Sequence, residues 1–206
     1  YVNRYNYLKE ELTKLNDNFP ELIKKSILQE AIQGKLVPQD SSDEPASVLL
    51  DRIREEKKQL VKDKKIKRNN KESFIFKENN HFYEKIGKNG EPVCIDEEIP
   101  FDIPENWEWC KLSNIIELIS GRDMKKSDYN SKNKGIPYIT GASNIHENSL
   151  IINRWIEHPQ TMALKGDILL TCKGTIGKLI ILRENNVHIA RQIMAIRLFK
   201  NMINKQ

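Results

Sequence analysis

Apolar residues near the amino terminus recur at Tyr5, Leu8, Leu12, Leu15, Phe19 and Leu22, in steps of three and four that fall along one stripe of an α-helix. The stripe spans about two and a half heptads, too few to establish a coiled coil. Asn16, Asp17 and Asn18 ahead of Pro20 predict a break and a restart, because proline is accommodated in a first helical turn and damaging later. A second helix is predicted from about Pro20 to Gln33, with Leu22, Ile23, Ile27, Leu28, Ala31 and Ile32 on a broad apolar face. Gly34 is its expected C-terminal cap, and Pro38 bars continuation. Such a face either packs into this chain's own core or docks on another chain. After the polar loop 39–44, Asp43 and Glu44 before Pro45 mark a new helix start. That helix carries Ala46, Leu49, Leu50, Ile53 and Leu60 on one side and Asp51, Arg54 and Glu55 on the other. Between Lys57 and Lys71 eight basic residues stand against one acid, Asp63, so the helix is expected to fade into a basic segment near Asn69 and Asn70. The segment reads as a solvated linker or as a nonspecific phosphate contact.

The period then changes. Phe74 to Phe76, Phe82 to Ile86 and Pro92 to Ile95 read as short strands, with hairpin-turn chemistry at Lys88-Asn89-Gly90 and the aromatics forming a small core. Ile99 to Pro104 reads as an extended arm, and Trp107 and Trp109 alternate around Glu108 as strand residues do. Leu112 to Ser120 is expected to be a short helix or strand ending at Gly121, followed by a polar loop from Arg122 to Lys134 with Tyr129 in it. Ile136 to Thr140, Ile168 to Leu170, Leu179 to Leu182 and Ala195 to Leu198 are predicted strands of a curved sheet or irregular barrel. The expected fold class is α+β: helices over 1–72, a small β linker over 73–100, and a mainly β domain with irregular loops over 101–206.

The 206 residues suffice for one sizeable domain or two small ones, and 38% hydrophobic with 31% charged residues describes a polar, soluble chain. No apolar run approaches the roughly 18 residues of a membrane span, and no signal-peptide pattern opens the chain, so a cytoplasmic address is expected. Cys94, Cys110 and Cys172 are far apart, and neither they nor His81, His146, His158 and His188 show paired metal-ligand spacing. No metal site or disulfide framework is expected. A net charge of +5 weakly favours polyanionic partners.

The stretch Leu164 to Lys178 reads as strand, exposed loop and strand. Gly174 and Gly177 permit a tight loop, and Lys173 and Lys178 add positive charge beside it, a combination that suits an anion. A nucleotide-binding P-loop is excluded, because Cys172 and Leu179 stand where that motif needs Gly and Ser or Thr. The loop therefore meets a phosphate backbone or simply closes a hairpin. Thr140, Ser143, Asn144, Lys173, Thr175, Arg191 and Gln192 lie on neighbouring loops and are of the types that bond base edges. The acids Asp123, Asp128, Glu147, Glu157 and Asp167 are scattered and form no catalytic pattern. Asp167 follows Gly166 in a turn, where Asp is expected in any case.

Two segments resemble the specificity subunit of Type I restriction-modification enzymes. Lys24-Lys-Ser-Ile-Leu-Gln-Glu-Ala-Ile-Gln-Gly-Lys-Leu-Val-Pro-Gln39 with Asp43-Glu-Pro-Ala-Ser-Val-Leu-Leu50 is similar to the family's conserved helical region. Ile103-Pro-Glu-Asn-Trp-Glu-Trp109, Gly135-Ile-Pro-Tyr-Ile139, Lys165-Gly-Asp-Ile-Leu169 and Gly174-Thr-Ile-Gly-Lys178 are similar to the first part of a target recognition domain. The resemblance runs from about Phe19 to Phe199. It implies a non-catalytic reader of double-stranded DNA, one domain per half of a split site, with antiparallel or coiled-coil-like helices setting the gap. It also implies modification subunits that bring S-adenosylmethionine and a restriction subunit that uses ATP and Mg, so that no cofactor is expected on this chain. A full member has two recognition domains and a second conserved helix, so the chain is expected to be a fragment, a truncated gene product or an incompletely resolved chain.

On this reading Lys125, Lys126, Lys173 and Lys178 are expected at phosphates. Some of Tyr138, Thr140, Asn144, Thr175, Arg191 and Gln192 are expected to face the major groove. Leu22, Ile23, Ile27 and Ala31 with Leu49, Leu50, Ile53 and Leu60 are the expected docking stripe for the modification subunit or for self-association. The competing reading is a helical assembly module whose truncated recognition domain is inert.

Overall fold

The structure is a computed structural model and describes residues 2–67, 72–87, 89–147, 149–183 and 185–199. Its secondary structure is α+β, helices first and short, mostly antiparallel strands after them. The chain divides into two compact units, Tyr1–Asp51 with Ser73–Cys110, and Arg52–Glu72 with Lys111–Gln206. Asn69, Asn70 and Lys88, on which the basic-segment and turn expectations fall, lie outside the described residues. Among the described residues no helix is long and apolar enough to cross a membrane.

In the first unit α1 (Val2–Ile32) runs unbroken through Pro20, against the expected restart. The physical balance explains it. Proline deletes one internal hydrogen bond, whereas two new helix ends would leave about four carbonyls and four N–H groups to be satisfied by other means. The helix ends as anticipated at Gly34, whose φ is 68°. Gly34 N–H donates to Ala31 O at 3.0 Å and Lys35 N–H to Glu30 O at 2.9 Å, the paired bonds of a Schellman cap. A Cβ on Gly34 would sit 2.5 Å from Pro104 Cγ, so backbone angle and space both require glycine. Trp107 and Trp109 do not form a strand. Their segment turns at Glu105 and Asn106, Trp107 Nε1 donates to Gln39 Oε1 at 3.0 Å, and Trp109 packs against Phe101 with ring centroids 5.2 Å apart.

The second helix, α2 (Ala46–Lys62), carries the division between the units. It stops earlier than the basic run suggested. Lys64 takes a φ of 57° and Lys65 N–H closes onto Leu60 O at 2.9 Å. Among the expected docking residues, Leu22, Ile23 and Ile27 are exposed, and Ala31, Leu49 and Leu60 are half-buried. Leu50 and Ile53 are corrected to core: they retain 8% and 1% of their exposure, so neither is free to meet a partner.

Strands β1 (Ser73–Glu78), β2 (His81–Ile86) and β3 (Val93–Cys94) form an antiparallel sheet in that order. The tight turn between β1 and β2 is Asn79-Asn80, with φ of 50° and 65°, a turn not expected from sequence. Asparagine tolerates the two left-handed residues that a two-residue hairpin demands. Phe76 stands opposite Tyr83 and stacks on it at 5.8 Å, the expected aromatic contact.

In the second unit α3 (Leu112–Ile115) leads straight into β4 (Ile116–Ser120), so the segment expected as helix or strand is both. The later strands are β5 (Tyr129–Asn130), β6 (Ile136–Ile139), β7 (Ile145–His146), β8 (Ser149–Leu150) and β9 (Trp155–Ile156). They are followed by β10 (Met162–Leu164), β11 (Ile168–Thr171), β12 (Leu179–Ile181), β13 (Asn186–Ile189) and β14 (Ile193–Leu198). One open sheet has the order β12-β11-β14-β4 and another β10-β13-β6-β9-β5, with a β7-β8 ribbon beside them. Open sheets replace the irregular barrel considered from sequence. Ile139, Leu169, Leu182, Val187, Ile189 and Ile193 centre the core between the strands. Asp167, 3% exposed, receives Arg197 Nε at 3.0 Å and Nη2 at 2.8 Å, and Leu164 N–H at 2.8 Å. Its role in the Lys165-Gly-Asp-Ile-Leu169 motif is to lock the start of β11 to β14.

Candidate nucleic-acid interface

Strand register brings four loops to one end of the second unit. β6 and β13 pair in parallel through Ile139 and Ile189, so both chains leave the sheet on the same side. Thr171 at the end of β11 stands opposite Ile193 at the start of β14, and Ser120 at the end of β4 opposite Met194. The loops after β4, β6 and β11 therefore surround the turn Ala190-Arg191-Gln192 that links β13 to β14. Sequence separation gives no hint of this meeting.

The turn is tied to each of its neighbours. Asp123 accepts Arg191 N–H on Oδ1 at 3.1 Å and the guanidinium Nε on Oδ2 at 2.6 Å. Cys172 N–H donates to Gln192 O at 2.8 Å. Gly141 gives Gln192 its place: a Cβ there would lie 2.5 Å from Oε1 of that side chain. Gly121 N–H donates to Ile193 O at 3.1 Å, and a Cβ on Gly121 would lie 2.1 Å from Ala190 O, too close for any side chain.

Beneath the loops lies a polar clamp that the sequence did not reveal. His188 is fully buried, its Nε2–H donating to Arg122 O at 2.9 Å while Nδ1 accepts Gln160 and Thr161 N–H at 3.3 Å each. That bonding fixes the neutral ring with its proton on Nε2. Burial pushes the imidazole pKa below its ordinary value, against the opposing pull of the Arg122 carbonyl. Tyr138 packs 5.0 Å from His188 and accepts Met124 N–H on its hydroxyl oxygen at 3.1 Å. Burial raises its phenol pKa.

The expected site residues separate accordingly. Lys125, Lys126, Lys173, Thr175, Lys178, Arg191 and Gln192 are exposed on these loops, and Thr140 is half-buried. Gly174 and Gly177 adopt φ of 74° and 88°, and a Cβ on either would meet no atom within 4 Å, so this loop stands clear of the domain. Tyr138 and Asn144 are corrected. Tyr138 is 3% exposed and supports the loop after β4. Asn144 is 2% exposed, with Oδ1 accepting Thr140 N–H at 2.9 Å and Nδ2 donating to Ile151 O at 2.8 Å. Their polar atoms are committed within the fold. Asp123 and Ile176 were missed. Asp123 lies 68 positions from its partner, and Ile176, 73% exposed in the glycine-bearing loop, has no polar group to single it out in sequence.

The family model for the Type I restriction modification DNA specificity domain matches residues 104–206, half of the chain. The Type I restriction enzyme EcoAI specificity subunit of Escherichia coli is 38% identical over 133 residues, covering 60% of this chain and 19% of that protein. The Escherichia coli EcoEI specificity subunit is 35% identical over 162 residues, covering 75% and 24%. The chain thus spans about a fifth to a quarter of the length of these curated relatives. Among solved structures, the HsdS subunit from Thermoanaerobacter tengcongensis aligns with a TM-score of 0.45 at 25% identity, over 48% of this chain and 25% of that one. A chain from a study of type I R-M complex assembly and conformational transition aligns with a TM-score of 0.46 at 25% identity, over the same shares. By the family match over half its length, this chain belongs to the Type I restriction-modification DNA specificity family.

Proposed function

We propose that the second unit reads one half of a bipartite double-stranded DNA site for a Type I restriction-modification complex, directing methyltransferase and restriction subunits there while performing no chemistry itself. The observation that carries this reading is the convergence of three loops on the Arg191-Gln192 turn, with exposed cations and the Gln192 amide at one end of the two sheets. Lys125, Lys126, Lys173 and Lys178 neutralise phosphates and position the domain. Arg191, Gln192 and Thr175 are the groups left to meet base edges in the major groove, since the Thr140 hydroxyl donates to Asn144 Oδ1 at 3.0 Å. In this reading S-adenosylmethionine, ATP and Mg serve the partner subunits. The test is a selection from random duplexes with the parent chain and with Arg191→Ala and Gln192→Ala. The parent enriches one half-site, and each variant relaxes the preference at one base pair by about 1–3 kcal/mol. Enrichment of no sequence by the parent would sink the proposal.

A second reading, assembly through α1, is favoured by one observation: Leu8, Leu12, Leu15, Phe19, Leu22 and Ile27 are 48–62% exposed along a single helix. An uncovered stripe of this length is costly in water and fits a helical partner, either a modification subunit or a second copy. Ile27→Asp would place a carboxylate in that contact. Sedimentation with and without the modification subunit then decides. Loss of association with the sheets intact supports docking, and assembly equal to the parent's removes it.

A further inference from the structure

We propose that His81, Cys94 and Asp96 form a zinc site on the β1–β3 sheet. The register places them together. Tyr83 pairs with Cys94 and Ile95 N–H donates to Phe82 O at 2.8 Å; Asp96 then opens a 3-10 turn (Asp96–Glu98) whose carboxylate meets His81 Nδ1 at 2.6 Å. Ile95, between Cys94 and Asp96, is buried at 5% exposure, whereas Cys94, Asp96 and His81 are exposed. A ring nitrogen, the sulfur and a carboxylate oxygen lie within 4.8 Å of one another. Among the described residues this is the only such group of three.

The donors suit zinc in kind and in arrangement. Thiolate, imidazole and carboxylate are the ligands of a borderline-soft ion, and three of them leave a fourth tetrahedral position for water on an exposed face. Zn–S near ~2.3 Å and Zn–N near ~2.0 Å place tetrahedral donors roughly 3.3–3.7 Å apart. His81 Nδ1 and Asp96 Oδ2 now share a proton at 2.6 Å and would part by less than 1 Å or so to admit the ion. The side chains that must turn are exposed, so this movement meets no packed core. Asp96 is already oriented from behind, because its Oδ1 accepts Phe82 N–H at 2.6 Å and leaves Oδ2 for the metal. Binding releases the Cys94 thiol proton to solvent, the other two donors entering as neutral imidazole and carboxylate.

The sheet also has reason to be stapled. Among the described residues of Ser73–Cys110 only Ser73 and Ile95 are buried, while Phe76, Ile86 and Val93 are 38%, 53% and 61% exposed. Three short strands with so thin a core gain from a cross-link between the start of β2 and the end of β3.

The experiment uses the untagged full chain, stripped with chelator and titrated with zinc against a chromophoric competitor, then with cobalt(II) as a spectroscopic probe. One zinc per chain and a thiolate-to-cobalt charge-transfer band are expected. Both should weaken at least about tenfold in Cys94→Ser and His81→Ala, and persist in Cys172→Ser. Circular dichroism identifies any variant that has lost its fold, and the parent titration stands independently of the variants. Failure of the parent to take up zinc, or undiminished uptake by a folded Cys94→Ser chain, would overturn the proposal.

Discussion

Asp123 holds Arg191 at two points, the backbone N–H at 3.1 Å and the guanidinium Nε at 2.6 Å. Nη1 and Nη2 have no partner among the described residues and form the edge that a guanine would receive. Asp123 is thus a positioning residue for the proposed reader. Asp123→Ala should leave nonspecific affinity unchanged or slightly raised, since a negative charge leaves the DNA face. Discrimination at the Arg191 base pair should fall by about 1 kcal/mol, part of the 1–3 kcal/mol that a bidentate contact supplies. Competition binding with cognate and single-substituted duplexes measures both, and equal losses on all sequences would show Asp123 to be merely structural.

The four loop lysines make a different prediction. Lys125, Lys126, Lys173 and Lys178 are exposed and lie on two of the converging loops. Replacing one by Ala should weaken binding alike on every sequence and reduce the slope of log affinity against log salt by about one. A fourfold variant with an unchanged slope would place these lysines off the DNA.

Stability of the second unit should depend on Asp167. Its carboxylate is buried, accepts two hydrogen bonds from Arg197, and has Glu117 as a weaker competitor for that guanidinium at 3.5 Å. Asp167→Ala strands Arg197 partly out of water and should cost about 3 kcal/mol. Urea denaturation reads the change, and a loss below about 0.5 kcal/mol would mean that Glu117 compensates.

His188 predicts a pH dependence. The folded pKa lies below the ordinary value of about 6.5, so at lower pH the unfolded chain binds the proton first. This contribution is fully present above about pH 6.5 and falls by up to ~1.4 kcal/mol per unit as pH drops toward the folded pKa. Melting curves at about pH 7.5 and 5.5 for the parent and His188→Gln isolate it. The parent should lose more stability on acidification, and equal losses would assign the dependence to other groups.

The local pattern carried much of the architecture. Three-and-four spacing marked α1 and the amphipathic α2, Gly34 marked a helix end that proves to be a Schellman cap, and β-branched runs marked β6, β11, β12 and β14. Those signals are local, set by side-chain period and allowed φ, so nearby residues suffice to express them. Pro20 was misread because its local penalty was not set against the greater cost of two new helix ends. What only the tertiary structure decided was which polar residues remain available. Asn144 and Tyr138 have the right chemistry to read DNA, but burial commits them to Thr140, Ile151 and Met124. Asp123 acquires its role only because β14 pairs with β4 and β13 with β6, joining side chains 68 positions apart. In the first unit the pairing of β2 with β3 and the turn after it bring His81 beside Asp96. Sequence spacing records distance along the chain, whereas hydrogen-bond satisfaction and ligand geometry depend on distance through space.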